Sequence, residues 1–135
     1  MIEKTSYEEP PNPPTSEDAT DTLRISVIIP TRNEATTLPK LLEKLRSSDV
    51  HEVLVVDGQS SDDTVRLAED FGARVISSVP GRGHQLNKGV RVSTGDICFF
   101  LHADTIPPPH FAKHIRRTLA QPGTCAGAFE LSIDG

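Results

Sequence analysis

Residues 24–57, RISVIIPTRNEATTLPKLLEKLRSSDVHEVLVVD, decide the fold. Two short runs rich in β-branched residues, RISVIIP (24–30) and EVLVVDG (52–58), flank a segment with Leu38, Leu41, Leu42 and Leu45 at helical spacing. The runs are continuously apolar instead of alternating, the pattern of strands covered on both faces. Strand, helix and strand at this length form a parallel crossover unit. Thr36 and Thr37 are candidates for the helix N-cap.

The same alternation continues outward. DDTVRLAEDFG (62–72) predicts a helix capped by Asp62, with Val65, Ala68 and Phe71 inward and Gly72 as its stop. RVISSV (74–79) is a third strand, followed by PGRG (80–83). HQLNKGVRVST (84–94) is helical despite Gly89, and Gly95 ends it. DICFFLH (96–102) is a fourth strand. PHFAKHIRRTLAQ (109–121) is a helix opened by prolines, and CAGAFELSI (125–133) is a last, weaker strand. The fold class is α/β, a mostly parallel sheet with helices on both faces. In such sheets ligands bind at the carboxyl ends of strands, where strand order reverses. The informative segments are therefore the strand exits PTRNE, DGQSSDD, PGRG and HADT.

At 135 residues, with 36% hydrophobic and 24% charged, the chain fits one domain with a lean core. Residues 1–23 carry four prolines, many acids and no apolar periodicity, so they are expected to be a disordered tail before a domain over 24–135. They lack the basic start and apolar run of a signal peptide, and no stretch approaches the length of a spanning helix. A soluble, cytoplasmic protein is expected, with peripheral contact at the inner membrane face left open. The net charge of −5 weighs against a nucleic-acid partner. Cys98 and Cys125 show no metal-ligand spacing and are expected as reduced thiols.

Each strand exit carries two competing readings. Asp57 can accept hydrogen bonds from a ribose hydroxyl or a base N–H, or it can simply form a turn with Gly58 and Ser60. Asn33 and Glu34 can line a ligand or cap the first helix. Arg82, between two glycines at a helix start, suits an oxygen-rich anion. The glycine spacing matches neither a Walker loop nor a dinucleotide fingerprint. His84 and Lys88 are expected on the surface, as is the His110 and His114 pair. His102 and Asp104 lie one residue apart. On extended backbone they would face the same way, where Asp104 suits magnesium or manganese and imidazole suits manganese better; the alternative is that they solvate the strand end and cap the turn before IPPP.

Taken in order, SVIIPTRNEATTLPKLLEKL, EVLVVDGQSSDDT, GRGHQLNKGV and TGDICFFLHADT resemble the family-2 glycosyltransferases of the GT-A (Rossmann-like) fold, in particular a bacterial subgroup whose metal motif reads His-Ala-Asp. The resemblance covers about Arg24 to Gly135. It implies a nucleotide-diphosphate-sugar donor, UDP- or GDP-linked. Pro30, Thr31, Asn33 and Glu34 would line the base and ribose, Asp57 would contact the base, and Arg82 and Gly83 would lie near the donor phosphates. Asp104 would bind Mg2+ or Mn2+, with His102 standing where the family motif has its first acid. Some relatives in this subgroup act on carotenoid acids, which implies a lipid-like acceptor.

In the family the acceptor wall and general base follow the metal motif. Past Asp104 this chain carries only Glu130 and Asp134 as acids, so the expectation is a truncated transferase with no catalytic residue of its own. The alternative is a non-catalytic nucleotide-binding module completed by a partner or a missing C-terminal half. VLVVDG also resembles a receiver-domain strand, but IIPTRNE lacks the acid pair a receiver needs.

Overall fold

The structure, a computed structural model, describes residues 2–4 and 23–120. The elements in chain order are β1 (Ile2–Lys4), β2 (Ile25–Thr31), α1 (Leu38–Arg46), β3 (Glu52–Asp57), α2 (Thr64–Asp70), β4 (Arg74–Ser77), α3 (Arg82–Val92), β5 (Ile97–Phe100) and α4 (Phe111–Ala120). They build one five-stranded sheet in the order β1-β5-β2-β3-β4. β5, β2, β3 and β4 run parallel. The chain steps from β2 to β3 to β4 in one direction, then returns to place β5 on the other side of β2. Strand order therefore reverses between β2 and β5.

β1 departs from the sequence expectation. Within the stretch expected to be disordered, Ile2–Lys4 pairs antiparallel with β5, in the register Ile2↔Phe99, Glu3↔Cys98 and Lys4↔Ile97. The physical reason is the free edge of β5, whose unpaired N–H and C=O groups accept an added strand. Residues 5–22, and the strand expected over 125–133 with Cys125, Glu130 and Asp134, lie outside the described residues.

β2 is the central strand, and its side chains alternate between two cores. Ile25, Val27 and Ile29 face a layer built from Leu38, Leu41, Leu42 and Leu45 of α1, Ala68 of α2, and Phe111, Ile115 and Leu119 of α4. Phe99 of β5 joins this layer, its ring centroid 5.5 Å from that of Phe111. On the opposite face Ile28, Leu54, Val56 and Cys98 meet Leu86, Val90 and Val92 of α3. The expected two-sided covering is thus present. Two helix starts differ from expectation: α2 begins at Thr64 with Asp63, not Asp62, as its N-cap, and α3 begins two residues before His84, at Arg82. α1 begins at Leu38 with Thr37 as N-cap, and Pro39 falls in the first turn, where a missing N–H leaves no bond unmade.

Gly89 explains why a glycine interrupts α3. A Cβ there would lie 2.5 Å from Ile28 Cγ2 and 3.2 Å from Val56 Cγ2. The helix rests directly on the sheet at that point, and only a residue without a side chain permits it. Alanine would favour the helix intrinsically, but the clash is the larger effect. Gly89→Ala is therefore expected to lower stability by about 1–3 kcal/mol in denaturant unfolding. An unchanged midpoint would show that α3 does not press on β2.

The amino-terminal edge of the sheet is tied by Glu52. Its carboxylate accepts the Ser26 hydroxyl at 2.6 Å, the Thr94 N–H at 2.6 Å and the Thr94 hydroxyl at 3.0 Å. Desolvation alone would raise the Glu52 carboxyl, but those hydrogen bonds and the nearby His51 charge outweigh it and hold the group below the usual carboxylate range. Asp96 is lowered likewise: burial opposes the shift, and the Arg24 backbone N–H, side chain and charge overcome it. Stability from a depressed carboxyl is fully present above its unfolded value and is lost as pH falls through the folded one. Glu52→Gln should therefore melt below wild type at neutral pH, and the gap should close as pH falls below the usual carboxylate range. A gap that stays constant down to acid would contradict this account. No helix among the described residues is long and apolar enough to cross a membrane.

Candidate functional site at the carboxyl edge

The parallel pairing carries each strand exit to one edge of the sheet. β2 and β3 end together at Thr31↔Asp57, and β4 ends beside them at Asp57↔Ser77. β5 pairs with β2 only as far as Ile28↔Phe100, with one more bond from Leu101 N to Ile28 O at 3.0 Å. Backbone groups alternate sides along a strand, so Pro30, like Ile28, faces β5. It lies past the last β5 pair, where its missing N–H costs no ladder bond. The ends of β2 and β5 therefore part at the reversal of strand order, where α/β sheets bind ligands.

Asp57 is buried, 4% exposed. Its carboxylate accepts the Thr31 hydroxyl at 2.9 Å, the Ser60 N–H at 2.9 Å and the Ser60 hydroxyl at 2.5 Å. The turn reading is realised: the acid organises its own turn, at the carboxyl edge of the sheet. Asn33 stitches the first exit to the second. Its N–H donates to Ser60 Oγ at 2.8 Å, and its side-chain oxygen accepts the Ser61 N–H at 2.7 Å, the Ser61 hydroxyl at 3.3 Å and the Asp62 N–H at 3.3 Å. Glu34 serves the entry to α1: its carbonyl accepts the N–H groups of Thr37 and Leu38, and its carboxylate accepts the Thr37 hydroxyl at 2.8 Å. The Glu34 N–H donates to Thr64 Oγ1 at 2.9 Å. Asp62, expected to cap α2, accepts the Thr64 N–H at 3.0 Å and also binds the Thr64 hydroxyl and the Ala35 N–H. Two loops distant in sequence become one hydrogen-bonded shelf.

Arg82 and Gly83 form the first turn of α3, after the N-cap Gly81, and both are exposed. The first N–H groups of a helix have no partner within it and carry the positive end of its dipole. Gln85, one turn on, holds that end against the sheet. Its Nε2 donates to the carbonyls of Thr31 and Val56, each at 2.9 Å. Nothing in HQLNKG singled out this glutamine, because its partners lie 29 and 54 residues away. Ser60 was likewise read only as a turn residue.

His102 and Asp104 require a correction. The expectation placed them on extended backbone, but β5 ends at Phe100 and the chain turns, with Thr105 N bonded to His102 O at 3.0 Å. Ala103 is buried, 3% exposed, between two exposed neighbours, so both side chains still emerge at the surface beyond β5. His84, Lys88, His110 and His114 are exposed. Among the described residues no three His, Cys, Asp or Glu side chains gather to hold a metal. One imidazole and one carboxylate fit a divalent cation that takes its other ligands from phosphate oxygens and water, not a cation caged by protein alone.

A mostly parallel α/β sheet whose strand order reverses between β2 and β5 defines the class. The sequence profile described as Glycosyl transferase family 2 matches residues 26–133, and the chain belongs to that family. It is 36% identical over 92 residues to a 4,4'-diaponeurosporenoate glycosyltransferase from Staphylococcus haemolyticus, covering 62% of this chain and 24% of that protein. Against a glucosyl-3-phosphoglycerate synthase from Mycolicibacterium smegmatis it is 32% identical over 116 residues, covering 76% of this chain and 37% of that one. Among solved structures it resembles glucosyl-3-phosphoglycerate synthase from Mycobacterium tuberculosis in complex with Mn2+, uridine diphosphate and glucosyl-3-phosphoglycerate. The TM-score there is 0.68 at 29% identity, over 87% of this chain and 47% of that one. The chain thus spans between a quarter and a half of the length of these relatives.

Asn33 sits at φ 56, in the left-handed region that alanine resists and glycine accepts. Asn33→Ala loses both the side-chain bonds and the tolerated backbone, and should cost about 1–2 kcal/mol. Asn33→Gly should cost less. Equal losses in thermal unfolding would show that the conformation at Asn33 contributes nothing.

Proposed function

We propose that the carboxyl edge of the sheet holds the nucleoside-diphosphate end of a sugar donor, and that residues 24–135 are the donor-binding part of a glycosyltransferase. The observation that carries this reading is the collection of the exits of β2, β3 and β5 and the start of α3 on one edge, at the reversal of strand order. Pro30, Thr31, Asn33, Glu34 and Asp57 take the base and ribose on the braced shelf. Arg82, Gly83 and the first N–H groups of α3 take the diphosphate. Asp104, with His102, takes Mg2+ or Mn2+ together with phosphate oxygens. The family match, and a similar solved structure that contains UDP and Mn2+, support this assignment.

The reaction breaks the bond between the sugar's anomeric carbon and the phosphate oxygen, and forms one to an acceptor oxygen. The diphosphate leaves as an anion, and Arg82 with the helix N-terminus is suited to stabilise that charge. A bound divalent cation would neutralise part of the same charge. A hydroxyl acceptor gives its proton to a base, whereas a carboxylate acceptor needs none. The relatives' names specify a diaponeurosporenoate and a 3-phosphoglycerate product or acceptor, which supports an acceptor that carries a carboxylate.

Calorimetry with UDP and GDP, with and without Mn2+ or Mg2+, tests this. At least one nucleotide should bind, and the cation should tighten it by about tenfold or more. Asp104→Ala should remove the cation's contribution and leave cation-free binding in place. His102→Ala should do the same where the imidazole is a ligand. Failure of both nucleotides with both cations overturns the reading. Assays of donor hydrolysis and sugar transfer then separate an enzyme from a binding module.

A further inference from the structure

Gln85 is 5% exposed, and its side-chain amide makes three hydrogen bonds, all inward. The two Nε2 protons go to Thr31 O and Val56 O, while Oε1 accepts the Gly81 N–H at 3.2 Å. The Gln85 backbone N–H returns to Gly81 O at 2.9 Å. Gly81, the N-cap of α3, is thus gripped at both its N–H and its C=O by one residue. This is the reciprocal logic of a capping box, with the side chain also anchored on two neighbouring strands. Gly58 fits the arrangement, because a Cβ there would lie 2.9 Å from Gln85 Cδ and Oε1.

We infer that Gln85 is a positioning residue that sets the diphosphate-binding end of the site separately from its nucleoside end. This rests on the proposed function above. The nucleoside shelf has its own bracing: Thr31 and Ser60 hold Asp57, and Asn33 holds Ser61 and Asp62. Thr31 O also keeps the Gly58 N–H at 2.9 Å when the Gln85 donor is removed. The Gly81 N–H has no such second bond among those described. Removing the Gln85 amide therefore loosens the start of α3, with Arg82 and Gly83, which among the described bonds keeps only the backbone bond from Gln85 N–H to Gly81 O, while the shelf stays in place. The consequence is selective: affinity for phosphate falls and affinity for the nucleoside does not.

NMR titration of the 135-residue chain with UDP and with uridine reads this selectivity as a ratio of dissociation constants. Gln85→Met keeps the bulk of the side chain and removes its hydrogen bonds. It should weaken UDP about tenfold and leave uridine within about twofold of wild type. Gly58→Ala displaces the amide while retaining Gln85. It should produce the same phosphate-selective loss, and adding it to Gln85→Met should produce little more. A purely structural role would lower the melting temperature and weaken both ligands by the same factor, and that result, or no loss at all, overturns the inference. If Gln85→Met does not fold, Gly58→Ala decides by the same ratio. If wild type binds uridine and UDP equally, the phosphate end fails and this inference with it. If it binds neither, guanosine and GDP replace them in the same ratio, and failure of that pair as well overturns the proposed function itself.

Discussion

The end of β2 is where this structure is held together as a site. Thr31 gives its hydroxyl to Asp57 and its carbonyl to both Gly58 and Gln85. Through this one residue the exits of β2 and β3 and the first turn of α3 share a position. All of these partners are shielded from water, so each polar group must find a protein partner or carry a desolvation cost of about 1–3 kcal/mol. That requirement, more than any apolar contact, keeps the loops in one arrangement.

The hydrophobic layers serve the edge by fixing what lies beneath it. α1, α2 and α4 cover one face and α3 the other, and Gly89 lets α3 settle directly on Ile28 and Val56. Because α3 is seated by packing in its middle and by Gln85 at its start, its N–H groups keep a constant relation to the strand ends. At the opposite edge Glu52 ties β2 and β3 to the segment before β5 through Ser26 and Thr94. The sheet is thus braced at both ends, and Arg82, His102 and Asp104 are exposed at its carboxyl end.

The proposed division between a nucleoside end and a phosphate end rests on this construction. The shelf between Asn33 and Thr64 is braced by several hydrogen bonds between two loops. The start of α3 depends on few. Arg82, Asp104 and His102 are exposed and extend from two separate exits, an arrangement suited to a flexible, highly charged ligand. A divalent cation shared with that ligand would complete a donor set that the chain alone leaves short.

Much of the fold was legible in local pattern. Continuous apolar strands, leucines at helical spacing and polar exits sufficed for the alternation of elements and for the edge that carries chemistry, since period and punctuation are properties of neighbouring residues. The family resemblance rested on the same four exits and agrees with the profile match. Three features stayed hidden. β1 forms because an edge strand far along the chain lacked a partner. The turn at His102–Thr105 replaces extended backbone because β5 leaves β2 after Phe100. Gln85 acts on carbonyls 29 and 54 residues away. The sequence by itself determined which segments are strands, helices and exits, because backbone propensity and burial pattern are local. Only the tertiary structure decided which polar groups meet, because a hydrogen bond depends on distance in space, and side chains this far apart in the chain come within reach only once the sheet has formed.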